Sequence, residues 1–317
     1  MTIKSLITAI TFVTVCFAAP LYAQPENERG KQKVRTVSIP ISIFTKQELR
    51  EGQMSEYVQA DRLIVREKGD EQEILSIRSV TDAPLSLAVL IQEDLVSNFN
   101  LQIRDLAQFI RTLPRGSRVM VAYMRGGNLQ IRQRFTDDLD SASQAFRIVS
   151  SNSATAPRNP YDSLVDAMNR FDALPAGRRA VLMVSDGLDI SQGLNSSSPG
   201  QSLDLDRAIL RAQRRSVAVF SFYTPASLTE GGNTSLVMNG QGSLQRLSDE
   251  TGGRAFFQGS IAPISFQPFF VDLRILLNRQ FLLSYLSTHM KKGYYKVEVL
   301  STNPEVKIEH PKGYYYR

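Results

Sequence analysis

The chain of 317 residues has one cysteine, Cys16, and two histidines, His289 and His310. Cys16 lies inside an apolar amino-terminal run, so the remainder of the chain has no thiol for a disulfide or a thiolate metal site. Val15 precedes it where a lipoprotein signal needs a small residue, which argues against lipidation. Both histidines fall near the carboxyl terminus, away from the most apolar runs, so a Ser-His-Asp triad at the centre of the fold is not expected. There is no HExxH, no GxxxxGK[ST] and no GxGxxG after a strand, which removes metalloprotease, P-loop and dinucleotide chemistry from expectation. With 42% hydrophobic and 21% charged residues the chain is not disordered in composition and suits one large or two modest domains. These absences leave no recognisable catalytic set, so an enzyme is not expected.

What is present begins with Lys4, an apolar run over residues 6–19, and Pro20-Leu21-Tyr22-Ala23. This predicts a signal peptide over residues 1–23, cleaved after Ala23; the rival, a membrane anchor, is weakened because the run is short and interrupted. Residues 24–33 (QPENERGKQK) read as a disordered leader. The expected mature chain has no transmembrane helix and resides in the periplasm or outside the cell. A net charge of +6 favours acidic partners such as envelope polymers or anionic head groups, and nucleic acid is not expected for an exported protein.

Residues 34–84 alternate apolar and polar side chains through Val37, Ile39, Ile41 and Ile43, with Pro40 marking an edge strand and Lys68-Gly69-Asp70 a hairpin turn. From residue 85 to 279 the pattern changes. SLAVLIQ (86–92) and VLMVSDG (181–187) are continuous apolar runs suited to strands covered on both faces, and helical periodicities appear over 98–113, 139–149, 161–174, 205–214, 244–251 and 266–278. Two long loops, 187–202 and 224–241, are too large to be mere connections. Residues 280–317 return to strands and are expected to pack with 34–84 as one β module, which neither end forms alone. The fold class expected is α/β: a Rossmann-like, doubly wound, mostly parallel sheet flanked by a small β module from both chain ends. Ligand sites in such sheets lie at the carboxyl ends of the strands, so Gln92, Glu93, Asp94 and Asp186 should meet at one rim.

The element order β-α-β-β-α-α-β-α-β-α-β-α across residues 85–278, with SLAVLIQ and VLMVSDG at its first and fourth strands, resembles the von Willebrand factor A domain. Tyr161-Asp162-Ser163-Leu164, Thr251-Gly252-Gly253, QFLLSY and PKGYYYR further resemble VWFA-related proteins of acidobacterial type. The resemblance implies a binding role at the rim and, in its usual form, a divalent metal held by an Asp-x-Ser-x-Ser loop, a Thr and an Asp. Here Gln92, Asp94 and Val96 stand in the loop positions, Arg158 at the Thr, and Asp186 alone is retained. Val96 supplies no oxygen and Arg158 brings a cation, so the expectation is a degenerate, metal-free motif in which Arg158 bridges Asp94 and Asp186. The partner-binding rim expected is Gln92, Glu93, Asp94, Arg158, Asn159, Asp186 and Asp189, engaging a protein or cell-envelope component without a cofactor. The alternative is an adhesion domain holding Mg2+ through Glu93, Asp94 and Asp186.

Overall fold

The computed structural model describes residues 33–51, 63–78, 84–157, 159–175, 177–194, 197–231 and 233–316. The expected signal peptide, the leader up to residue 32 and Arg158 lie outside the described residues.

Strand β1 (Arg35–Thr45) buries Val37, Ile39, Ile41 and Ile43, as its period-two pattern requires. Helix α1 (Lys46–Glu51), unforeseen in the sequence, is capped by its own Glu48, which accepts the Thr45 amide at 2.8 Å. Strands β2 (Leu63–Glu67) and β3 (Asp70–Arg78) form the expected hairpin around Lys68-Gly69. Strand β4 (Leu85–Gln92) is buried along its whole length.

The next helix starts later than its periodicity suggests: a 3-10 stretch, Ser97–Gln102, precedes α2 (Ile103–Arg111). Asn100 ties that stretch to Val149, accepting its N–H and donating to its carbonyl. Strands β5 (Arg118–Arg125) and β6 (Asn128–Thr136) form a hairpin. Helix α3 (Leu139–Gln144) stops short of residue 149, because the Tyr123 hydroxyl captures the Arg147 amide N–H at 2.7 Å and donates to the Arg147 carbonyl.

Then follow α4 (Pro160–Asn169), β7 (Arg178–Ser185), α5 (Leu203–Arg214) and β8 (Val217–Tyr223). Helix α6 (Thr234–Thr251) begins ten residues before the expected 244 and absorbs the end of the second long loop. Gly240 and Gly242 hide its pattern from propensity. The chain closes with β9 (Ala255–Phe256), α7 (Gln267–Asn278), β10 (Gln280–Ser287), β11 (Gly293–Ser301), β12 (Val306–Glu309) and β13 (Gly313–Tyr316).

Two sheets result. The six-stranded sheet has the order β6-β5-β4-β7-β8-β9; β6 is antiparallel to its neighbour and the others are parallel. It is therefore mixed rather than wholly parallel, the antiparallel edge following from the tight β5–β6 hairpin. Alternate side chains of β4 enter different cores. Leu87, Val89 and Ile91 pack with α2 and α7 through Leu106, Phe109, Phe270 and Leu273, while Ala88 and Leu90 join Tyr161, Leu164, Ala208 and Leu244 of α4, α5 and α6. Helices on both faces account for the unbroken apolar runs of β4 and β8.

The seven-stranded sheet is antiparallel, in the order β12-β1-β10-β3-β2-β11-β13, and so combines strands from both chain ends. Pro40 is tolerated because β1 has one neighbour there: β10 faces residues 35–42, and β12 begins pairing only at Ser42.

Candidate functional site

Strand order locates the site. From β4 the chain winds outward through β5 and β6, and from β7 through β8 to β9, so a crevice opens between the carboxyl ends of β4 and β7. Gln92, Glu93, Asp94 and Asp186 are carried there, and all four are buried. A buried carboxylate needs partners, and those found for Asp94 and Asp186 among the described residues are neutral groups.

The amide of Gln92 lies at the centre. Its Nε2 donates to Asp94 Oδ1 at 2.9 Å, while its Oε1 accepts from Ser185 Oγ at 2.6 Å and from the Asp186 N–H at 3.2 Å. The second oxygen of Asp94 accepts from Ser227 Oγ at 2.5 Å. Asp186 accepts the Leu188 N–H at 3.2 Å through Oδ1 and the Thr229 hydroxyl at 3.4 Å through Oδ2. These donors only partly offset burial: the Asp186 carboxyl is pushed up to about 7, by desolvation first and then by the charge of Asp94. The Tyr223 phenol, buried beside it, is pushed up to about 12 by burial and by the same Asp186 charge.

Glu93 belongs to a different cluster. It receives both Nη atoms of Arg147, at 2.8 and 2.6 Å, and that guanidinium lies 4.4 Å from the Tyr123 ring centroid. Its work is to clamp the chain after α3. The convergence of Glu93, Asp94 and Asp186 required by the alternative expectation is therefore not found, and among the described residues no three His, Cys, Asp or Glu side chains are grouped to hold a metal. At the first motif position, moreover, an N–H donor faces Asp94 where a hard cation would need an oxygen. The residues present do not fit the Mg2+ that the resemblance implies.

Asn159 and Asp189 fasten loops. Asn159 Oδ1 caps α4 by accepting from Tyr161 N at 2.9 Å, and its Nδ2 donates to Asp204 at 2.6 Å. Asp189 accepts from the backbone and hydroxyl of Ser191 and from Ser202 Oγ at 2.5 Å, which itself caps α5. Asp162, in the first turn of α4, titrates above its usual range through burial and the nearby charge of Asp204. Arg158, the expected bridge, is outside the described residues; Gln92 links the Asp94 carboxylate to the Ser185 hydroxyl and the Asp186 backbone N–H.

Ser227, Thr229 and Arg147 contribute functional contacts that the sequence reading did not single out. The one available signal was the suspect length of the second loop, which carries Ser227 and Thr229. Gly240 is a fourth such residue. A Cβ there would stand 2.0 Å from the Asp186 carbonyl oxygen, and Gly187 (φ +73°) meets the same turn of α6 from the other side. Helix α6 thus presses its backbone onto the Asp186-Gly187 turn, which Tyr161 also holds by donating its hydroxyl to the Gly187 carbonyl at 2.7 Å.

Above this network is a cavity of about 560 Å³, lined by Gly126, Gly127, Asn159, Asp162, Ser191 and Ser227 among others. A smaller cleft of about 240 Å³ lies between Val96, Pro225, Thr229 and Ile261.

No family model matches the chain, and no curated protein sequence matches it. Among solved structures it is similar to proteins of the von Willebrand factor A class. One is the von Willebrand factor type A protein of Catenulispora acidiphila, at 10% identity and a TM-score of 0.45, covering 90% of this chain and 74% of that one. The chain is also similar to an aerotolerance-related membrane protein of Bacteroides fragilis (11% identity, TM-score 0.41, 60% of this chain and 98% of that one) and to the conserved hypothetical protein BatB of Bacteroides thetaiotaomicron (9% identity, TM-score 0.42, 61% and 97%).

Proposed function

We propose that this chain is an exported, non-catalytic interaction protein, a doubly wound A-type domain whose carboxyl-end rim binds a protein or cell-envelope partner without a metal. One observation carries the reading. The rim loops hold large apolar side chains out to solvent, with Leu101 at 75%, Ile148 at 72%, Ile261 at 68% and Ile264 at 89% exposure. Gln102 donates to the Ile264 carbonyl at 2.9 Å, and Asn100 binds Val149, so these side chains belong to neighbouring loops. A collar of exposed apolar side chains on neighbouring loops, beside polar cavities, has the composition of an interface core with a polar rim.

Metal independence rests on Gln92, whose amide already satisfies Asp94 and Ser185. Absence of catalysis rests on the histidines, both of which serve the antiparallel sheet: His310 Nε2 accepts the Val299 N–H, and His289 lies between Glu67 and Asp70. Export rests on the amino-terminal sequence. Among the described residues no helix is long and apolar enough to cross a membrane.

The test is capture of partners from the source cell's envelope fraction by wild type and by the double variant Leu101→Asp/Ile264→Asp, each with and without EDTA. The reading expects one captured set, lost in the double variant and insensitive to EDTA. Equal capture by the variant contradicts the collar, and loss of capture with EDTA contradicts the metal-free rim.

A further inference from the structure

A second concave site lies at the other end of the helices, where α5 and α6 meet the edge of the antiparallel sheet. This cleft of about 410 Å³ is lined by Asp206, Gln213, Arg246, Glu250, Tyr294 and Tyr315, together with Ile209 and Leu210. Its volume is within the range of small-ligand sites. Tyr294 and Tyr315 are direct cross-strand partners on β11 and β13, and so stand side by side on one face. They remain 44% and 40% exposed, whereas Tyr295 and Tyr314, on the opposite face of the same strands, are buried. Gly313 makes room for this arrangement: a Cβ there would lie 2.4 Å from the Tyr294 hydroxyl oxygen.

The opposite wall is polar and rigidly arranged. Arg246 commits all its nitrogens, to Asp206 at 2.7 Å, to Glu250 at 2.9 Å and to the Pro199 carbonyl at 2.6 Å. Gln213 fixes the same wall by donating to the Glu250 carbonyl at 2.9 Å. Each carboxylate is thereby held in place through one of its oxygens. The cleft thus offers an aromatic platform facing fixed hydrogen-bond acceptors.

We infer that this cleft binds a β-linked oligosaccharide, a flat ribbon whose C–H faces stack on Tyr294 and Tyr315 while its hydroxyls donate to Asp206 and Glu250. Pairing of both carboxylates with Arg246 favours a neutral donor of hydrogen bonds over a cation. The site is independent of the rim reading.

The experiment is calorimetric titration of the full mature chain with cellotetraose and with tetra-N-acetylchitotetraose, using α-linked maltotetraose as the control. Binding of at least one β-linked probe in preference to maltotetraose is expected. Tyr315→Ala should weaken it by about tenfold, and Tyr315→Phe, which keeps the ring, by no more than about twofold. Melting temperatures of both variants establish that they are folded, and Leu101→Asp/Ile264→Asp should bind the glycan as wild type does. Failure of both β-linked probes at millimolar concentration overturns the inference. So does unchanged affinity in a folded Tyr315→Ala protein, or equal binding of maltotetraose.

Discussion

Glu67 in the antiparallel sheet, and Asp94 and Asp186 at the rim of the mixed sheet, are buried carboxylates satisfied in opposite ways. In the antiparallel sheet Glu67 is fully buried and accepts from Tyr285 at 2.9 Å, Tyr314 at 2.8 Å and Ser287 at 2.7 Å. His289 Nδ1 is 3.0 Å away and Arg35 4.0 Å, the latter stacked over the Tyr316 ring at 3.9 Å and bonded to the Tyr314 hydroxyl. At the mixed sheet's rim, Asp94 and Asp186 are as deeply buried, yet their donors are an amide, two hydroxyls and a backbone N–H. A carboxylate given basic partners and three hydroxyl donors ties strands together. Among the described residues Asp94 and Asp186 have neutral donors alone and keep an unfavourable charge interaction with one another.

The largest effect should come from the scaffold side. Glu67→Ala would strand the Arg35 guanidinium and two buried phenols, and should cost about 3–5 kcal/mol in urea unfolding. A loss under about 1 kcal/mol would erase the distinction between the two sheets.

Next in size is the pH dependence of the rim. Asp186 titrates near 3.8 when unfolded and near 7 when folded, so the native state favours its neutral form. Its contribution is fully present below the unfolded value and is lost as pH rises through the folded one. Stability should therefore decline between about pH 4 and pH 8, by up to about 4 kcal/mol, and Asp186→Asn should remove most of that slope. Unfolding curves at several pH values decide it; an Asp186→Asn protein with the wild-type slope would place the titration elsewhere.

A smaller effect is expected where α6 meets the rim. Gly240→Ala inserts a methyl against the Asp186 carbonyl and should destabilise by about 1–3 kcal/mol through displacement of the helix. Gly242→Ala meets only the Pro199 ring, at 2.9 Å, and should cost less. Equal melting temperatures for the two variants would show that the contact on Asp186 is not what requires glycine.

The same contrast explains what could be read in the sequence. Continuous apolar runs at 86–92 and 181–187 announced strands with two covered faces, and the rim followed from them, because strand ends are fixed by topology. Period-two parity places Glu67 on the face of Val65, but its tyrosine partners are 218 and 247 residues away, and local pattern carries no such distance. Arg147 and Glu93 are likewise 54 residues apart. The beginning of α6 was hidden because glycine signals a loop by propensity, whereas Gly240 is selected by a tertiary contact. Gln92 was legible as a departure from the metal motif; its bridging role depends on β4 and β7 being neighbours.

In the function proposed above, Gln92 and its hydroxyl neighbours complete the rim without a metal ion. The most direct measurement is thermal unfolding of the mature protein titrated with magnesium and then with excess EDTA. A melting temperature constant within about 1 °C throughout is expected, since a ligand that does not bind the native state cannot stabilise it. A melting temperature that climbs with magnesium and falls back with EDTA would contradict it.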